Sequence, residues 1–287
     1  MRINHNIPAM VSQGALFSNN RALGKDLEKL STGLRVNRSS DDAAGLSISE
    51  GLRSQVRGTE QAKRNAMDAI SALNIAEGAA NEIHNILQRQ RELAIQSSTA
   101  TYSSTERGYM NQEYSQLQDE ISRIMQATNF NNIKLLSTGA DTTAQTIFVA
   151  GASGTGDNVW VDANGHTGVD SIAIKYEVDK DILLKDGTKN IDSATQAQAS
   201  ITALDAAIQA VSKMRADIGA YVNRLETTVN NLTVSASNQQ AAESQIRDTD
   251  FSAQSSSFTK NQILMQSATA MLAQANGVSQ NVLALIR

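Results

Sequence analysis

The chain has no cysteine, a single proline (Pro8), and aromatic residues at only 4% of its 287 positions. Without cysteine there is no disulfide framework. That does not exclude an extracellular home, since a chain exported unfolded gains nothing from thiols that cross-link early. Proline breaks helices, so its near absence permits very long ones. Few large rings argue against a thick globular core. Apolar character is carried by Ala, Leu, Ile and Val, the palette of thin helical bundles with narrow seams. The net charge of −4 comes with no concentrated basic face, which excludes a nucleic-acid partner. No apolar run approaches the roughly 20 residues needed to cross a bilayer, so no membrane insertion is expected. The start of the chain, Met1 to Asn6, lacks the apolar stretch of a cleavable secretory signal.

What is present falls into three zones. Residues 1 to about 137 and 191–287 carry helical periodicity; the zone between is rich in Gly, Asp and Thr. In the last zone Ile201, Leu204, Ile208, Val211, Ile218, Val222, Leu225, Val229 and Leu232 step by three and four, with Arg215 as the gap. This heptad seam needs a partner helix, because a lone stripe stays wet. Matching seams run through Ile48, Leu52, Val56 and Thr59, then Ala66, Ile70, Leu73, Ala80, Ile83 and Leu87. A third runs through Met110, Tyr114, Leu117, Ile121 and Ile124. The Ser- and Thr-rich residues 97–105 read as a break. Ser40, followed by Asp41 and Asp42, reads as the N-cap of a helix of about 55 residues, about 80 Å at 1.5 Å per residue. The expected fold is therefore mainly α: a long antiparallel helical rod or coiled coil with a small β-hairpin segment. That segment is read from Thr146–Val149, Val159–Val161 and Ser171–Tyr176 around a Gly-rich turn.

The two ends pose a different problem. Ile3, Ile7, Met10 and Phe17 form one stripe, and Leu16, Leu23, Leu27, Leu30 and Leu34 another. At the far end Ile263, Leu264, Met271, Leu272, Val278, Val282, Leu285 and Ile286 form a broader one. Chain ends are usually polar and frayed unless tied down. Apolar helical ends ask for each other and for neighbouring copies, so the terminal helices are expected to pair in a polymer. Catalytic signals are missing by comparison. His5, His84 and His166 are scattered with no zinc-binding spacing, so no cofactor or metal is expected. The Gly151–Gly156 run lacks the Lys-Ser/Thr ending of a phosphate loop. Glu60, Arg64 and Asp68 read as solvated ion pairs. Arg35, Arg38, Arg53 and Arg57, interleaved with Asp41, Asp42 and Glu50, read as a salt-bridged surface.

Several of these stretches carry a family likeness. Leu30–Asn37 (LSTGLRVN), Asp41–Leu46 (DDAAGL) and Leu87–Ser97 (LQRQRELAIQS) resemble the N-terminal signature of bacterial flagellins. Gln262-Ile263-Leu264, Leu272–Asn276 and Asn281-Val282-Leu283 match the other end. The likeness covers about residues 1–150 and 195–287. It implies a non-enzymatic structural subunit that polymerises into the flagellar filament, secreted through the flagellar type III route. It also implies a layout: residues 1–44 and 241–287 as an inner core of paired terminal helices, 45–137 and 191–240 as the outer rod, and 138–190 as a variable β segment. The polymerisation residues are then Ile3, Ile7, Leu23, Leu27, Leu30, Leu34, Ile263, Leu264, Met271, Leu272, Val282, Leu283, Leu285 and Ile286.

Implied partners are further copies of the chain, an export chaperone, and the filament cap and hook–filament junction proteins. Toll-like receptors of hosts are implied through Arg89, Leu93 and Glu113, which match the recognised pattern. Three positions depart from the family habit: Gln254 in place of Glu, Ala268 in place of Gly, and Ser279 in place of Pro. The last lets the terminal helix run on. The alternatives are a hook–filament junction protein, a filament-displayed hydrolase and a membrane-active helical protein. The density of matched motifs, the missing zinc motif and the scarcity of basic residues before Arg21 speak against each in turn.

Overall fold

The computed structural model describes residues 6–136, 158–160, 171–174 and 190–285. Among them are five helices: α1 (Ile7–Thr32), α2 (Ala43–Ser98), α3 (Ser104–Ala127), α4 (Ala194–Arg247) and α5 (Phe251–Leu285). Strand β1 (Asn129–Phe130) pairs antiparallel with β2 (Ile133–Lys134), and β3 (Asn158–Trp160) with β4 (Ser171–Ala173). The contacts divide into two compact units, Met1–Val56 with Ser237–Arg287, and Arg57–Ala236.

The second unit is a helical bundle built on an unbroken heptad. Along α2 a buried line runs through Thr59, Ala62, Ala66, Ala69, Leu73, Ala76, Ala80, Ile83, Leu87, Gln90, Ala94 and Ser97, each three or four residues from the last, with Ala72 and Leu93 buried beside it. A strict 3.5-residue repeat winds helices into a left-handed supercoil. Alanine at so many of these positions lets the backbones approach closely. On α4, Ala197, Leu204, Val211, Ile218, Leu225 and Leu232 recur every seventh residue, with Ser200, Ala207 and Met214 as the second line. Here the structure departs from the sequence expectation: Ile201, Ile208, Val222 and Val229 are half-buried flank residues. Ser200 and Ala207 take buried positions beside Ile201 and Ile208, a distinction that a hydrophobic pattern does not register. Similarly, Ala69 and Ala76 are buried on α2, while Ile70 lies at the edge. The third seam follows its expected line, with Tyr114, Ile121 and Met125 buried and Met110, Leu117 and Ile124 packed beside them.

Polar contacts fix the order of the bundle. Arg91 pairs with Asp205 at 2.6 Å and Arg215 with Glu77 at 4.0 Å, so α2 and α4 run antiparallel. Arg215, the gap in the seam, is thus a flank residue. Ile191 is buried and held by both backbone groups: its N–H donates to Asn111 Oδ1 at 2.9 Å, and its carbonyl accepts from Ser97 Oγ at 2.5 Å. Gln90 Nε2 donates to Gln118 Oε1 at 3.0 Å and to the Tyr114 carbonyl at 3.3 Å. The break between α2 and α3 is closed from both sides. Ser103 and Glu106 form a capping box, and Arg107 donates to the carbonyls of Ser97 and Thr99, each at 3.0 Å. The Ser103 backbone and hydroxyl hold the Glu106 carboxyl below its ordinary range.

Three local expectations change. The cap of α2 is Asp42, not Ser40: Asp42 Oδ1 accepts from Gly45 N at 2.9 Å, one turn inside the helix. A Cβ on Gly45 would strike that carboxylate. Arg64 does not pair with Glu60 or Asp68 but donates to Gln61 Oε1 at 2.7 and 3.1 Å. The β1–β2 hairpin lay unread inside the N-terminal helical zone. Its turn is Asn131 (φ 48°) and Asn132 (φ 67°), two successive left-handed residues of the kind a two-residue hairpin requires. Of the expected β segment, Val159–Trp160 and Ser171–Ala173 are paired strand. Thr146–Val149 and Gly151–Gly156 lie outside the described residues.

Two outcomes test this packing. Leu73→Ala or Ile218→Ala should each cost about 2–5 kcal/mol in urea unfolding of the full chain, and Ala76→Leu about 1–3 kcal/mol through overpacking. A leucine tolerated at 76 without cost would rule out the close seam. The second concerns Tyr114. Burial pushes its phenol up to about 12, opposed by the Ser200 hydroxyl beside it. The folded value lies above the unfolded one of about 10, so this contribution is complete below about pH 10 and is lost as pH climbs through the folded value. Tyr114→Phe should flatten the fall in stability over that window; an unchanged slope between wild type and variant would refute the assignment.

Candidate functional site

The site is the pair of terminal helices. Asn6 caps α1 by accepting from Ala9 N at 3.2 Å, and Pro8 occupies the first turn, where its missing N–H costs nothing. Gly33 (φ 73°) ends α1 in the left-handed conformation, its N–H bonded to the Lys29 carbonyl at 2.9 Å. Helix α5 runs unbroken through 277–279, as the replacement of proline by Ser279 implied.

Both helices keep a heptad, with only partial burial. On α1 the half-buried line is Ala9, Ser12, Leu16, Asn19, Leu23, Asp26 and Leu30. On α5 it is Gln254, Phe258, Asn261, Met265, Ala268, Leu272 and Ala275. Each seam therefore has one apolar column and one column of small or polar residues. Asp26 accepts from Gln254 Nε2 at 2.6 Å and from Asn261 Nδ2 at 2.7 Å, and Asn6 Nδ2 donates to the Ala275 carbonyl at 3.0 Å. Numbers fall along α1 as they rise along α5, so the pair is antiparallel.

A clasp closes the base of the pair. Leu34 bridges Asp248; Arg35 N donates to the Arg247 carbonyl at 2.6 Å, and Thr249 N to the Gly33 carbonyl at 3.0 Å. The Arg35 guanidinium donates to the Ile246 carbonyl at 2.6 Å, at the end of α4. Arg247 pairs with Glu50 at 2.7 Å, and Arg38 with Glu28 at 2.9 Å. Arg38, Arg53 and Arg247 thus meet carboxylates and Arg35 meets carbonyls.

The terminal stripes divide between two faces. Leu23, Leu30, Leu34 and Leu272 lie half-buried in the pair. Ile7, Leu27, Ile263, Leu264 and Met271 point outward, joined by Phe17 at 68% exposure and Phe251 at 65%. No residue of α1 is fully buried. Val282, Leu283 and Leu285 belong to α5; Ile3 and Ile286 lie outside the described residues. The polar column through Asp26 and Asn261 was missed in the sequence, although its seven-residue spacing is visible there.

A second cluster lies on the bundle surface. Arg89 Nη2 sits 2.9 Å from Glu113 Oε1, and Arg89 Nη1 sits 3.1 Å from Glu92 Oε2. These two carboxylates, Glu113 first, hold the guanidinium above its ordinary range. Arg89 and Glu113 are exposed, whereas Leu93 faces the core. Among the described residues no group of three or more His, Cys, Asp or Glu could hold a metal ion, and no helix is long and apolar enough to cross a membrane.

A chain whose bundle closes on itself, while its end helices keep apolar faces outward, belongs to the class of self-assembling helical subunits. Residues 3–141 match the family model of the bacterial flagellin N-terminal helical region, and residues 201–286 that of the C-terminal helical region. The flagellar filament 33 kDa core protein of Treponema phagedenis is 45% identical over 297 residues, covering 100% of both chains. A flagellin of Halalkalibacterium halodurans is 45% identical over 287 residues, again with 100% of both covered. A crystal structure of Bacillus cereus flagellin, 34% identical, covers 63% of this chain and 94% of that one with a TM-score of 0.49. The chain belongs to the bacterial flagellins. It is a structural subunit of the flagellar filament, exported to that filament and polymerising with its own kind.

Proposed function

We propose that the terminal helices α1 and α5 are the polymerisation element, and that the chain works mechanically, without catalysing a reaction. The observation that carries this is the two-faced character of the pair: leucines line its seam, while Ile7, Leu27, Ile263, Leu264 and Met271 stay exposed on the other faces. Exposed apolar contiguity of this kind marks an association surface. In this reading residues 1–44 and 241–287 form the inner core of the filament, with Ile3, Val282, Leu283, Leu285 and Ile286 completing the apolar ends. Residues 45–137 and 191–240 form the outer part, and 138–190 the variable β segment. The same wet stripes give an export chaperone something to cover before assembly. The filament cap and the hook–filament junction proteins then meet the chain at the two ends of the polymer. Slight shifts between packed subunits set the supercoil, since packed interfaces switch between discrete arrangements.

The test is seeded polymerisation of purified full-length chain, followed by negative-stain microscopy. Met271→Glu or Ile263→Glu should raise the critical concentration at least tenfold while leaving the bundle folded by circular dichroism. Unimpaired filaments from both variants would refute the assignment of these faces. A second reading is favoured by the exposed, doubly paired Arg89. We assign the Arg89–Glu113 surface as the point at which a Toll-like host receptor meets the monomer, with Leu93 acting from the core by holding α2 in place. Arg89→Ala, folded as wild type, should lose receptor binding more than tenfold, and undiminished binding would remove the proposal.

A further inference from the structure

The apolar columns of α1 and α5 repeat every seventh residue: Leu16, Leu23 and Leu30 on one helix, Phe258, Met265 and Leu272 on the other. A repeating column fixes which faces meet and says little about axial register, because a slide of one heptad restores the same kind of contact. Such a slide moves one helix by about 10.5 Å along the other. The backbone clasp of Gly33 and Arg35 on Thr249 and Arg247 ties the register at the base of the pair, and Asp26 breaks the degeneracy within the helices themselves. Its two carboxylate oxygens are each taken by an amide of α5, Gln254 Nε2 at 2.6 Å and Asn261 Nδ2 at 2.7 Å. These amides stand one heptad apart, so the carboxylate spans two turns of the facing helix. Slid one heptad toward the chain end, Asp26 would lie between Asn261 and Ala268, and Ala268 has no donor. Slid the other way, it would lie between positions 247 and 254, keeping Gln254 but with no second amide on α5, which begins at Phe251.

We propose that Asp26, Gln254 and Asn261 form the register clamp of the terminal helix pair, with Asp26 as its positioning residue. The apolar columns supply the pairing, and the clamp selects one axial register along the helices beyond the clasp at their base, as a single polar residue does in a coiled coil. Gln254 has a defined part in this: a glutamate there would set a carboxylate against Asp26 where the structure has a donor. The inference rests on the reading that α1 and α5 pair within the polymerisation element.

The test uses full-length chains polymerised from seeds and imaged by cryo-electron microscopy at side-chain resolution. The variants are Asp26→Asn and the triple substitution Asp26→Leu, Gln254→Leu, Asn261→Leu. Asparagine can accept from one amide and donate to the other, so Asp26→Asn should keep the wild-type register. The triple variant keeps an apolar seam, and should polymerise with α1 and α5 in more than one register, about 10.5 Å apart. A triple variant locked in the wild-type register would overturn the proposal. So would a triple variant that fails to polymerise while Asp26→Asn succeeds, since the clamp would then supply pairing strength, not register. Loss of register in Asp26→Asn alone would overturn it too. Failure of the wild-type chain itself to form filaments would instead strike the polymerisation reading beneath it.

Discussion

Every helix in this chain depends on one constraint: a narrow heptad stripe cannot stay in water, and must lie against another stripe of the same spacing. In the bundle that constraint is met within the chain. Alanines and leucines of α2 meet the every-seventh-residue line of α4, and α3 adds Tyr114, Ile121 and Met125 to the same core. Fully burying a Leu or Ile side chain is worth about 1.5–3 kcal/mol, and this unit buries several with nothing else required. The terminal pair meets the constraint only in part. Its seam residues are half-buried, and a second set of apolar residues on the same helices faces outward. The contrast between a closed core and an open one is what supports the proposal that the terminal pair is the part that assembles.

Much of this was legible in the sequence because heptad spacing is a direct reading of helix geometry. The seam through Leu204, Val211, Ile218, Leu225 and Leu232 and the break after Ser98 stand where the residue spacing put them. What escaped the reading has a common physical cause. Side-chain size and hydrogen bonding decide contacts that hydrophobic character alone does not. Ala207 lies on the buried line of α4, and Ile208, one residue on, lies at its flank. Asp42 displaced Ser40 as the cap because its carboxylate reaches Gly45 N. Asn131 and Asn132 made a hairpin because asparagine tolerates the left-handed conformation, which a helix-period pattern does not encode.

The candidate site was legible in outline and hidden in detail for the same reason. Leucine stripes announced that the ends pair. They did not divide Leu23, Leu30 and Leu272, which face the seam, from Leu27, Leu264 and Met271, which face outward, because neighbouring apolar residues fill both faces of one helix. Nor did they disclose the polar column, since Asp26 and Asn261 look like ordinary surface residues until the helices are set side by side. The clasp formed by Arg35, Arg247 and Glu50 joins segments about 200 residues apart in sequence, a separation that no local pattern can bridge.

If the terminal pair is the polymerisation element, as proposed, marginal burial at the ends is a condition of assembly. An end pair that satisfied all its apolar surface alone would leave nothing for other copies to bury, and the polymer would lose its driving force. An end pair with no internal order would pay the whole entropy of folding at the moment of assembly. The structure lies between these limits. Capping by Asn6 and Gly33, the Arg35 clasp and the Asp26 hydrogen bonds order the pair, while the wet outer stripe keeps its association free energy for contact with other copies. Because anything that binds only the ordered form stabilises it by mass action, each added subunit would on this proposal complete the folding of the ends it covers. Order at the termini and growth of the filament are in this sense one equilibrium.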